Sequence, residues 1–175
     1  MKNIVLIGFM GTGKSTIGRL LARRLGRAFI DSDKRIEQEA GISIREIFEN
    51  HGEAYFRQKE KAMIAKISRY NHAIIATGGG VVLAPENISR LKRNGVLICL
   101  TASLETIMER TGRRNTRPLL ENDDREVRVA NLLKEREALY TIADYCIDTS
   151  HVSPQQVINE IINFLRQGGY LRGRR

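Results

Sequence analysis

Residues Gly8-Phe9-Met10-Gly11-Thr12-Gly13-Lys14-Ser15 fit the pattern G-x-x-x-x-G-K-[ST] and directly follow an apolar run, Ile4-Val5-Leu6-Ile7. Such a loop binds phosphate, because glycines let the backbone fold until its N–H groups converge on phosphate oxygens. In this pattern Lys14 reaches the β- and γ-phosphates of a nucleotide, and the Ser15 hydroxyl can ligate magnesium. A plain glycine-rich turn with a surface lysine is the alternative; the strand pattern before the loop and the helical pattern after it argue for phosphate. Asp31-Ser32-Asp33 follows the second apolar run. These aspartates could serve metal and substrate, or could simply cap a helix, as Asp often does. The third run closes on Thr77-Gly78-Gly79-Gly80 rather than on the acid that usually ends a Walker B strand. A carboxylate for magnesium must therefore come from elsewhere, and Asp31 is the best candidate.

Two arginines fall where a helical pattern does not want them. Val129, Leu132, Leu133 and Tyr140 define one helix face, and Arg136, seven residues after Val129, lies on the same inward stripe. Arg57 shares a face with Glu60, Ile64 and Ile67, and Glu60 can hold its guanidinium fork. Either could be a snorkelling side chain at a core edge. Together, near the ligand end of a sheet, they suggest a clamp for a carboxylate or phosphate. Gly112-Arg113-Arg114-Asn115-Thr116-Arg117-Pro118 is basic and poorly helical, and reads as a lid or as an inert solvated loop. Phosphoryl transfer, which needs mobile positive charge and exclusion of water, favours the lid.

These residues need a frame, and strands alternate with helices throughout. Strands are expected at Ile4–Ile7, Ala28–Ile30, Ala73–Ala76, Gly95–Leu100 and Tyr145–Ile147. Helices are expected from Lys14 to a stop at Gly26 and from about Lys34 to Ala40. Another starts at the Ser43/Glu46 capping box, is interrupted at Gly52 and runs on to Ser68. Others start at Pro85, after a cap at Ser103, at Asp123 or Asp124, and at Pro154. Continuous apolar strands separated by helices give an α/β fold, a parallel sheet covered on both faces, with ligands beyond the strands' carboxyl ends. Residues 1–168 are expected to form a single domain with a lid at about 112–123, and 169–175 a Gly/Arg-rich tail.

The chain of 175 residues is 42% hydrophobic and 28% charged, ordinary for a globular domain. It shows no membrane span and no signal peptide, so a cytoplasmic protein is expected. Cys99 and Cys146 sit in apolar surroundings and are expected to be buried free thiols, and His51, His72 and His151 lack metal-ligand spacing. The net charge of +9 owes three units to Arg172, Arg174 and Arg175, and Arg110, Arg113, Arg114 and Arg117 form a second cluster. No aromatic-rich basic strand of the kind that stacks bases accompanies them, so the charge suits small polyanions rather than nucleic acid.

From Met1 to about Arg166 the chain resembles the shikimate kinases. The resemblance is carried by Gly8–Ser15, Asp31-Ser32-Asp33, Phe56-Arg57-Gln58-Lys59-Glu60, Gly78–Gly80, Arg117-Pro118-Leu119-Leu120, and Arg136 with Tyr140. It implies a P-loop kinase, a three-layer αβα fold with a five-stranded parallel sheet ordered 2-3-1-4-5 and a mobile lid. It also implies a monomer working in aromatic amino-acid biosynthesis. ATP would lie against Gly11, Thr12, Gly13, Lys14, Ser15 and Thr16, with Arg110 and Pro154 flanking adenine and Arg117 reaching in from the lid. Magnesium would be held by Ser15 and assisted by Asp31. Shikimate would be held by Asp33, Arg57, Gly79, Gly80 and Arg136. The implied reaction transfers the γ-phosphoryl group to the 3-hydroxyl of shikimate, with Lys14, magnesium and Arg117 around the migrating group. Asp33 would orient the hydroxyl; a dissociative path leaves open whether it also takes the proton.

A kinase for gluconate or a nucleoside monophosphate would share loop, sheet and lid but need other residues at Arg57 and Arg136. A GTPase switch would need an N-K-x-D tetrad, which the sequence lacks.

Overall fold

The computed structural model describes residues 2–112 and 125–171. The strands are β1 (Asn3–Ile7), β2 (Ala28–Asp31), β3 (Ala73–Ala76), β4 (Gly95–Thr101) and β5 (Tyr145–Asp148). The helices are α1 (Lys14–Leu25), α2 (Ser32–Ala40), α3 (Ile44–Ile67), α4 (Pro85–Arg93), α5 (Leu104–Gly112), α6 (Arg125–Tyr140) and α7 (Pro154–Gln167), with a 3₁₀ turn at Val81–Leu83. All strand pairs are parallel, in the order β2-β3-β1-β4-β5. The five-stranded parallel sheet in the order 2-3-1-4-5 that the resemblance implies is therefore present.

Alternation along the strands builds two cores, because successive side chains of a strand point to opposite faces. Val5 and Ile7 of β1, with Ile75, Leu97 and Cys99, pack against Phe56, Met63 and Ile64 of α3, Leu91 of α4, Ile107 of α5 and Val129 of α6. Ile4 and Leu6, with Ile74, Ile98 and Leu100, pack against Ile17 and Leu21 of α1 and Ile161 and Leu165 of α7. Tyr170 and Leu171, in the expected tail, also pack on this second core.

Two local expectations change. The helix expected from about Lys34 begins at Ser32, because Asp31 leaves the strand in extended geometry and its carboxylate accepts from Lys34 N at 3.3 Å. Asp33 consequently sits in the first helical turn, where a negative charge suits the helix dipole. Cys146 is exposed while Cys99 is buried, because β5 is an edge strand with a neighbour on one side only. Gly52 does interrupt α3, with non-helical φ 80° and ψ 174°. The lid beyond Gly112, including Arg117, the starts proposed at Asp123 and Asp124, and the final four residues lie outside the described residues.

Candidate active site

The phosphate loop grows directly out of β1. Gly8 leaves the strand at φ 138° and lies hard against the Leu100 carbonyl, a conformation and an approach that exclude a Cβ. The loop then closes on α1. Lys14 is buried, and its Nζ donates to the carbonyls of Gly8 and Phe9, each at 2.7 Å. Its charge is thus set inside the loop rather than waving in solvent. Ser15 Oγ donates to Asp31 Oδ2 at 2.6 Å. Asp31 therefore does both things the sequence allowed: it caps α2 and partners the loop serine. This all-oxygen pair beside a phosphate loop fits magnesium, a hard cation that takes few protein ligands and keeps several waters. A cavity of about 440 Å3 opens here, lined among others by Gly11–Ser15, Arg110, Thr149 and Pro154.

A second cavity, of about 510 Å3, lies beyond, and Arg57, Arg136, Glu60 and Gly78–Gly80 contribute to its wall. Arg57 Nη1 donates to Glu60 Oε2 at 3.0 Å, and its Nη2 and Nε donate to Glu53 Oε1 at 3.0 and 3.2 Å. Glu60 is 1% exposed, and burial pushes its carboxyl above the usual range against the opposing pull of Arg57. Its Oε1 has no hydrogen-bond partner among the described residues, which leaves a buried acceptor in this cavity wall. Arg136 is 6% exposed and its guanidinium lies 5.7 Å from the Phe9 ring centroid, a cation–π contact. Gly80 lies so close to Arg57 that a Cβ there would come within 2.7 Å of the guanidinium carbon. Tyr140 Oη donates to the Gly79 carbonyl at 2.8 Å, and Gly78 N donates to Ser32 Oγ at 3.1 Å. Burial raises the Tyr140 phenol well above its ordinary pKa, so it stays a donor.

The two cavities share Met10, Ser15, Thr16, Asp31 and Asp33. Among the described residues, the structure brings the sequence-predicted loop, the two aspartates, the two arginines and the two glycines to these adjoining cavities, and sets Arg110 and Pro154 in the wall of the cavity at the phosphate loop. Sequence reasoning missed Thr149, Met10 and Phe56 as wall residues. Thr149 was within reach of the rule that ligands gather at strand ends, since it follows β5 immediately.

A sequence model of the shikimate kinase family matches residues 10–166. The chain belongs to the shikimate kinase family. It is 52% identical over 162 residues to the shikimate kinase of Caldanaerobacter subterraneus subsp. tengcongensis, covering 93% of this chain and 95% of that one. To the shikimate kinase of Pelotomaculum thermopropionicum it is 47% identical over 171 residues, 98% of this chain and 99% of the relative. The solved structure of shikimate kinase from Acinetobacter baumannii in complex with shikimate superposes with a TM-score of 0.92 at 37% identity, covering 96% of this chain and 94% of that one. The Aquifex aeolicus shikimate kinase superposes at 0.82 with 37% identity, covering 98% and 99%. Family membership makes the chain an ATP-dependent, magnesium-using kinase of aromatic biosynthesis.

Proposed function

We propose that the chain transfers the γ-phosphoryl group of ATP to the 3-hydroxyl of shikimate, with nucleotide in the loop cavity and shikimate in the cavity of Arg57 and Arg136. The observation that carries this reading is the meeting of the two cavities at Ser15, Asp31 and Asp33. A phosphoryl group passing between them would cross at that junction.

Phosphoryl transfer runs through a loose transition state, so positioning and charge neutralisation do most of the catalysis. Arg57 and Arg136 grip the shikimate carboxylate from α3 and α6, while the peptides of Gly79 and Gly80 line the same cavity, Gly80 directly beside Arg57. Asp33, at the junction, orients the acceptor hydroxyl toward the loop. Lys14 follows the γ-phosphoryl oxygens, and the loop amides hold the nucleotide. Ser15, with Asp31 beside it, would hold magnesium, which would supply neutralisation of phosphate charge. On sequence alone, Arg117 is assigned to the migrating group and Arg110 and Pro154 to adenine. We further assign residues 1–168 to one catalytic domain, and read the enzyme as a cytoplasmic monomer with no nucleic-acid partner.

ADP release measured with shikimate, gluconate and nucleoside monophosphates as acceptors tests the reading. Turnover with shikimate alone is expected; turnover with gluconate or a nucleotide in its place overturns it. Sedimentation of the purified chain tests the monomer.

A further inference from the structure

The amides of a phosphate loop can converge on an anion only if the intervening carbonyls are turned outward and held there. Within the loop, Lys14 occupies the carbonyls of Gly8 and Phe9, and Thr12 Oγ1 adds a second donor to the Phe9 carbonyl at 2.8 Å. The carbonyls of Gly11 and Thr12 face toward the end of β5. There they meet two side chains from outside the loop. Arg110 Nη1 lies 3.3 Å from the Gly11 carbonyl, and Thr149 Oγ1 lies 3.1 Å from the Thr12 carbonyl.

Thr149 joins these contacts into one unit. It is 3% exposed, and its backbone N donates to the Thr101 carbonyl at 2.9 Å, continuing the β4–β5 ladder. Its Oγ1 accepts from Arg110 Nη1 at 2.9 Å, and its carbonyl accepts from Arg110 Nη2 at 2.6 Å. A threonine hydroxyl has one proton and two lone pairs. With Arg110 on a lone pair, the proton is left for the Thr12 carbonyl and the Thr101 carbonyl, which lies 3.0 Å away. The hydroxyl thereby links the loop, the sheet and the arginine.

We propose that Thr149 is a positioning residue for nucleotide binding: through its hydroxyl and Arg110 it holds the Gly11–Thr12 carbonyls outward and so keeps the loop amides aimed at phosphate. The proposal rests on the reading that this cavity binds ATP. It assigns Thr149 no contact with the reacting atoms. Its consequence is selective, because the shikimate cavity shares neither Thr149 nor Arg110.

Thr149→Val keeps size and backbone bonds and removes only the hydroxyl. It is expected to raise the KM for ATP and the Kd for ADP by about tenfold, with kcat and the KM for shikimate within about twofold, since a buried carbonyl loses its donor. Thr149→Ser should restore nucleotide affinity. A double-mutant cycle with Arg110→Met should show strong coupling in ADP affinity, the pair being little worse than the worse single variant. Thr149→Ser also stands in if the valine variant does not fold: it must then bind ADP like the unaltered chain, and a tenfold loss overturns the brace. Wild-type ADP affinity in Thr149→Val, an equal loss toward ATP and shikimate, or additive effects in the cycle would each overturn it. Failure of the unaltered chain to bind ADP would instead remove the ATP reading, and the brace with it.

Discussion

The two cavities are built in opposite ways. The cavity proposed for nucleotide takes its phosphate-loop part from one unbroken stretch, Gly8–Ser15, whose geometry comes from local backbone conformation and the Lys14 bonds to its own loop. The cavity proposed for shikimate is assembled from residues far apart in the chain: Asp33 on α2, Arg57 and Glu60 on α3, Gly78–Gly80 after β3 and Arg136 on α6. Phosphate recognition is generic and can be packaged in a motif. Recognition of one hydroxy acid needs groups arriving from several directions, which only a folded sheet and its helices supply. Single substitutions should accordingly separate the two halves.

Lys14→Ala tests the nucleotide half most severely. The variant is expected to fold yet lose turnover by at least a hundredfold to a thousandfold, ~3 to 4 kcal/mol of transition-state stabilisation, as for other preorganised electrostatic donors. Steady-state kinetics with circular dichroism as a folding control checks it; turnover within tenfold of wild type would remove the loop's catalytic role.

Arg136→Met answers from the other half. It keeps much of the apolar stem and removes the guanidinium that lies over Phe9, so the KM for shikimate should rise tenfold or more while ATP affinity stays unchanged. Arg136→Lys should recover only part, because a point charge cannot reproduce bidentate geometry. If the methionine variant loses ATP instead, the division between the halves is wrong.

Gly80→Ala sharpens the same division without touching a charge. The new methyl group would displace the Arg57 guanidinium, so shikimate affinity should fall on the order of tenfold, since small misplacements of a clamp cost binding steeply. The thermal midpoint should hardly move, because a long side chain can swing away. Isothermal titration with shikimate and with ADP separates the effects.

The smallest change is expected from Tyr140→Phe, which removes the donor to the Gly79 carbonyl. About 1 kcal/mol, or roughly fivefold in shikimate KM, is the scale of one such hydrogen bond. An equal change in ATP KM would mean that α6 couples the two cavities rather than serving one.

Much of this was legible in the residues themselves. The phosphate loop, the strand–helix alternation and the inward stripe of Arg136 follow from short-range spacing, because glycine geometry, apolar runs and the helical period are local properties. The pairing of Arg57 with Glu60 was legible too, lying one turn apart on one helix. Tertiary structure decided what the residues do to one another across distance. Asp31 was left between helix cap and metal partner, and the placement of α1 beside β2 made it both. Glu60 became a carboxyl with a raised pKa only when packing removed water from it. Cys146 is exposed because β5 fell at the sheet edge, a fact of strand order rather than of composition. Thr149 carried no local signal beyond its place after a strand. Its contacts with Thr12, 137 residues away, and with Arg110, 39 residues away, exist because the parallel register sets the ends of β1, β4 and β5 side by side, and register is a long-range property of the packed sheet.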